Sequence, residues 1–138
     1  MALEDVSARC SAIEECYEFL LAYAGQGLSG REGSNSSSQA REYLSGAVEA
    51  ITGLAEAYSR AVREGNLQPA ERYLAYLKVL ERDAADSLAS IHLVLAQATI
   101  SSQLVDNLNA SIHLRALLTD LFLIDEILKP QQSAAPPS

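Results

Sequence analysis

Three observations predict an all-α fold. From Pro69 to Leu128 the chain has neither glycine nor proline after the first residue, a run that only long helices tolerate. Apolar residues recur in alternating steps of three and four, the spacing of a helix face and not of a strand. The apolar content is mostly Leu, Ala, Ile and Val, with six Tyr, two Phe and no Trp, which suits close helix packing better than a roomy cofactor pocket. At 138 residues one core suffices, and residues 1–129 are read as a single domain.

The first helix is predicted over residues 3–24, on the heptad line Leu3, Val6, Cys10, Ile13, Tyr17, Leu20 and Ala24. A long Gly/Ser loop follows, from Gly25 through Gly27, Gly30 and Gly33 to Ser38, too polar and too flexible to continue it. Ser36, Ser37 or Ser38 is expected to cap a second helix reaching Glu64, with Ala40, Leu44, Ala47, Ile51, Leu54, Tyr58 and Ala61 as its core line. Gly65 is placed to end it, and Pro69 to open the next.

The third helix carries Tyr73, Leu77, Leu80, Ala84, Leu88, Ile91, Leu95 and Ala98. Continued to Leu128 it would be about 90 Å long, so a break is expected within Thr99–Gln103, where Ser101 or Ser102 caps the next helix; Asn107 and Asn109 mark the alternative break. The fourth helix carries Ala110, Leu114, Leu117, Leu121, Ile124 and Leu128 and is expected to stop at Lys129 and Pro130, leaving 130–138 as a disordered tail. The predicted architecture is an antiparallel four-helix bundle.

The formal charge of −8 is concentrated at the two ends. Glu4, Asp5, Glu14, Glu15 and Glu18 face only Arg9 in the first helix, and the last third sets six acids against Arg115 and Lys129. Without a basic face, neither nucleic acid nor an anionic membrane is an expected partner. No secretion signal opens the chain and no window approaches a membrane span, so a cytoplasmic protein is expected. Cys10 and Cys16 lie about 9 Å apart along one helix, too far for a disulfide with each other.

Chemistry-bearing residues are few. The pentapeptide Ala-Ser-Ile-His-Leu occurs at 89–93 and again at 110–114, and holds both histidines. If helices three and four double back near Ser102, His92 and His113 stand level. Asp106, Asn109, His113 and Asp120 form a polar stripe on one face of the fourth helix, a candidate proton relay or metal-binding edge. Ala89 and Ala110 stand where the Glu-x-x-His pairs of di-iron bundles place glutamates, so no metal or cofactor is assigned.

His113-Leu-Arg-Ala-Leu resembles, over these five residues, the phosphoacceptor helices of histidine kinases and histidine phosphotransfer domains. That resemblance implies phosphoryl transfer through His113, with His92 in the matching pentapeptide. The pattern departs from it where such domains place lysine and then a small residue: Ala116 and Leu117 follow His113, and Leu95 and Ala96 follow His92. The acid that follows a kinase histidine is replaced by Leu114.

Two surfaces are candidates for a partner. Leu118 and Phe122, beside Arg115, project from the core line of the fourth helix and are expected to be exposed interface anchors. Gly46, Ala50, Gly53 and Ala57 make a ridge of small residues on the second helix, where another backbone is expected to come close. The function expected is therefore non-catalytic protein–protein interaction, as an adaptor or assembly protein binding a protein partner or forming a homo-oligomer. Helical chaperones of secretion and flagellar assembly are similar in size, charge and helix content. The alternative is a histidine phosphotransfer-like or metal-binding helical domain using His92 and His113.

Overall fold

The computed structural model describes residues 2–25 and 34–133. Among these the chain is all-helical: α1 (Ala2–Gly25), α2 (Ser34–Ile51), α3 (Leu54–Glu64), α4 (Ala70–Leu95), α5 (Ser102–Ala110) and α6 (His113–Ser133). Six helices stand where four were expected, because two of the expected helices are each divided. Of the expected loop from Gly25 to Ser38, Gly25 ends α1 and residues 34–38 already belong to α2, so the cap expected at Ser36–Ser38 falls inside the helix; the remainder, 26–33, and the end of the tail, 134–138, lie outside the described residues.

The first division falls at Thr52–Gly53. Gly53 takes φ 78°, a left-handed conformation that L side chains rarely adopt, and Thr52 turns its hydroxyl back onto the Val48 carbonyl. The apolar line nevertheless continues across the turn: Ala40, Leu44, Ala47, Ile51, Leu54, Tyr58 and Ala61 are all buried. The second division falls at Ser111–Ile112, next to the alternative break at Asn107 and Asn109. Ser111 donates its hydroxyl to the Leu108 carbonyl and Ile112 adopts φ 64°, which closes α5 and re-aims the chain as α6.

The expected break between the third and fourth helices is found in place. Ser101 is the N-cap of α5, its side chain accepting from the Leu104 N–H. Gly65 caps α3 and Pro69 precedes α4. The end of α6 differs from expectation, since the helix continues through Pro130 to Ser133. Both Pro130 and Glu126, whose carbonyl loses its usual donor, are exposed, so the lost bond falls at the surface and not in the core.

One contiguous core runs through the molecule. α1 packs against α2, α3, α5 and α6, and α4 packs against the same four. In α1 the deepest side chains are Val6, Cys10, Ile13, Cys16, Leu20 and Tyr23; Tyr17 and Ala24, on the heptad line, are half-buried. A straight helix drifts from a strict seven-residue repeat by about 20° per heptad, which moves Cys16 and Tyr23 inward.

Arginine side chains join helix ends that sequence periodicity left open. Arg9 of α1 donates to the carbonyls of Ala50 at 2.9 Å and Thr52 at 2.7 Å, closing the C-terminus of α2. Arg41 of α2 does the same for α4, donating to the carbonyls of Leu95 at 3.0 Å, Ala98 at 3.0 Å and Gln97. Each guanidinium places positive charge at the negative end of a helix and satisfies carbonyls that have no intrahelical partner.

Candidate functional site

α6 carries most of the predicted site residues, and its two faces are unequal. Toward the core it buries Leu114, Leu117, Leu121, Ile124 and Leu128. Leu118 joins them at 4% exposure, contrary to its expected role as an interface anchor. At 100° per residue it lies next to Leu121 and Asp125, on the flank that α1 and α3 cover.

Phe122 remains outside at 56% exposure, with Leu123 at 52% and Ile127 at 48%. Thr119, Glu126 and Pro130 are exposed on the same side, and Arg115 is exposed two turns before Phe122. The outer face of α6 thus carries large apolar side chains interleaved with Arg115, Thr119 and Glu126. Phe122 also borders a shallow groove whose other wall is Ser7, Ser11 and Glu14 of α1, with Asp125, Glu126 and Lys129 along its own side.

The small-residue ridge is divided between the core and the surface. Ala50 and Ala57 are buried inside this chain. A Cβ added at Gly46 would meet nothing within 4 Å, and one at Gly53 would meet only an Arg9 nitrogen at 3.9 Å. Among the described residues no backbone of another helix comes within 4 Å of either added Cβ. Gly53 serves the turn between α2 and α3, and its position inside a continuous apolar pattern hid that break.

The two histidines do not come together. α4 and α6 run antiparallel, with Ser87 Oγ donating to the His113 carbonyl at 3.0 Å and Tyr76 Oη to the Asp120 carbonyl at 3.0 Å. His113 is therefore level with Ser87, and His92 lies about 7.5 Å further along α4. Both imidazoles are exposed. Inserting the α5–α6 turn into the second pentapeptide shifts the register that would have aligned them.

The polar stripe is split by the same turn. Asp106 is exposed on α5. Asn109, also on α5, is half-buried and donates its amide to the Leu20 carbonyl at 3.4 Å, while its Oδ1 is buried without a hydrogen-bond partner. Asp120, on α6, meets Asp83 of α4. Burial, then hydrogen bonding to Asp83, then the charge of Asp83 push the Asp120 carboxyl up to about 7. Among the described residues no group of three or more His, Cys, Asp or Glu is placed to hold a metal ion.

A buried polar chain absent from the sequence expectations crosses three helices. Tyr58 Oη of α3 donates to Asp125 Oδ1 of α6 at 2.6 Å and lies 3.0 Å from Cys10 Sγ of α1. Since the tyrosine proton is committed to the carboxylate, the thiol donates to the tyrosine oxygen. Burial pushes the Cys10 thiol up to about 12 and the Tyr58 hydroxyl above its usual range. Burial alone raises Cys16 to about 12. These are protonated thiols, poor nucleophiles and poor metal ligands. Heptad positions 10 and 58 carry no sign, in sequence, of which carboxylate they will meet.

No protein-family model, curated protein or solved structure matches this chain.

Proposed function

We propose that this chain is a non-catalytic assembly protein that self-associates through the outer face of α6. The observation that carries this reading is the exposure of Phe122, Leu123 and Ile127 on one side of a helix whose other side is fully buried. Large apolar side chains exposed together with charged ones are a usual signature of a helix that meets another surface. Leu123 and Ile127 are one turn apart and supply the aliphatic centre; Phe122 supplies the aromatic anchor, and Arg115 and Glu126 lie between the two.

The packing supports a bundle of four columns: α1 and α4 on one diagonal, the broken pairs α2–α3 and α5–α6 on the other. In such a frame α6 is a column with one side free for a second copy. The acidic balance speaks against nucleic acid and anionic membranes as partners, and no helix among the described residues is long and apolar enough to cross a membrane. Two free buried cysteines fit a cytoplasmic setting, where thiols stay reduced.

Light scattering tests the reading directly. The wild-type chain should exceed its monomer mass of 14.8 kDa, and Phe122→Glu combined with Ile127→Glu should return it to monomer with unchanged helical circular dichroism. A wild-type mass of one chain at every concentration overturns it, as does an oligomer indifferent to both substitutions.

A further inference from the structure

The α4–α6 seam holds a feature that packing alone does not explain. Asp120 is only partly exposed, and its Oδ2 is buried with no hydrogen-bond partner. The side chain facing it is another carboxyl, Asp83, within hydrogen-bonding reach. Two ionised carboxylates have no donor to offer each other, and leaving a buried acceptor unsatisfied is costly. A single proton placed between them supplies the missing donor and removes the repulsion at once.

We propose that Asp83 and Asp120 share one proton and act as a pH-sensitive catch on the α4–α6 seam: bridged, the pair holds the two helices together, and deprotonated, it sets two negative charges against each other across that seam.

The surroundings favour this over a neutralising ion pair. From α4, Tyr76 donates its hydroxyl to the Asp120 backbone carbonyl at 3.0 Å, while Lys78, Glu81, Arg82 and Asp86 are exposed. From α1, Glu14 lines the groove on the opposite flank of α6, and from α5, Asp106 is exposed. On α6 itself the positions one turn from Asp120 are Ala116, Leu117, Leu123 and Ile124, all uncharged. A metal ion is the weaker occupant, because among the described residues no third carboxylate, histidine or cysteine joins the two aspartates.

The sign follows from proton linkage. An unfolded aspartate titrates near pH 4, whereas burial and the neighbouring Asp83 push the Asp120 carboxyl up to about 7. Between these values the folded chain binds a proton that the unfolded chain has released. Folding stability from this pair is therefore full below about pH 4 and is lost as pH rises through about 7. The steepest possible effect of one proton is about a tenfold fall in the folding equilibrium constant per pH unit.

The experiment is urea unfolding between pH 5 and 8. It is done on a chain carrying His92→Gln and His113→Gln, so that no imidazole contributes to the reading. The parent should lose stability as pH rises. Asp120→Asn and, separately, Asp83→Asn should flatten that dependence, since an amide supplies the donor at every pH. Carbon-13 titration of the aspartate carboxyls should place a midpoint near 7 on the pair. A parent without pH dependence, a slope that survives both substitutions, or ordinary midpoints for both carboxyls overturns the proposal. So does stabilisation by calcium or magnesium chloride that EDTA reverses and Asp120→Asn abolishes, which would make the occupant a cation.

Discussion

At the scale of single residues the molecule is most sensitive where a polar group is buried with one chosen partner. Cys10, Tyr58 and Asp125 form such a chain between α1, α3 and α6. Tyr58→Phe removes the middle link and leaves the Asp125 oxygen without its donor. Urea unfolding should show a loss of about 1–3 kcal/mol, against little or none for Tyr58→Phe in a background where Asp125 is already leucine. The thiols add a pH dependence at the alkaline side. With Cys10 and Cys16 raised to about 12 and unfolded thiols near 8.5, their contribution is intact below about pH 8.5 and declines as pH climbs toward 12. Native protein should resist thiol reagents at pH 8 and react with both cysteines once urea is added.

Leu118 and Phe122 illustrate how much one turn decides. Leu118→Glu buries a carboxylate among Leu114, Leu117 and Leu121 and should unfold the chain, at a cost above about 3 kcal/mol. Phe122→Glu should leave the helical circular dichroism of wild type intact. The same charge one turn apart thus separates a core position from a surface one.

Elements are held at their ends as much as along their faces. Arg9 and Arg41 each reach across to close another helix, and truncating either to alanine should cost about 1–2 kcal/mol. Lysine should restore only part of the loss, because a point charge does not serve two or three carbonyls at once. The turns give a matched set of glycine effects. Gly46 lies inside α2 with open space around its missing side chain, so Gly46→Ala should stabilise by about 0.5–1 kcal/mol. Gly53, at φ 78°, should lose about 1 kcal/mol or more on the same change. Ile112 is the converse: a β-branched residue at φ 64° and half exposed, where Ile112→Gly should raise the melting temperature by relieving strain of about 1–2 kcal/mol. The helix lines themselves were readable because each apolar face repeats locally. The two internal turns were not, since the buried line runs straight across Gly53, and Ile112 is among the residues least suited to the left-handed conformation it adopts.

For the molecule as a whole, the two proposals lie on neighbouring faces of α6 and are separable. The outer strip of Phe122, Leu123 and Ile127 governs mass in solution; the Asp83–Asp120 pair governs how stability changes between pH 5 and 8. Asp120→Asn should flatten the second without changing the first. Helical class, the Ser101 cap, the Gly65 and Pro69 boundaries and the buried lines of α2, α3 and α6 follow from local spacing and capping, which need no knowledge of neighbours. Which residues meet across the seams was settled only on folding. Register between helices depends on where the chain turns, and one left-handed residue at Ile112 moved His113 away from His92. Asp120 was marked in sequence by its own helix, but Asp83 became its partner only when α4 and α6 packed, because a contact between distant segments leaves no periodic trace in either.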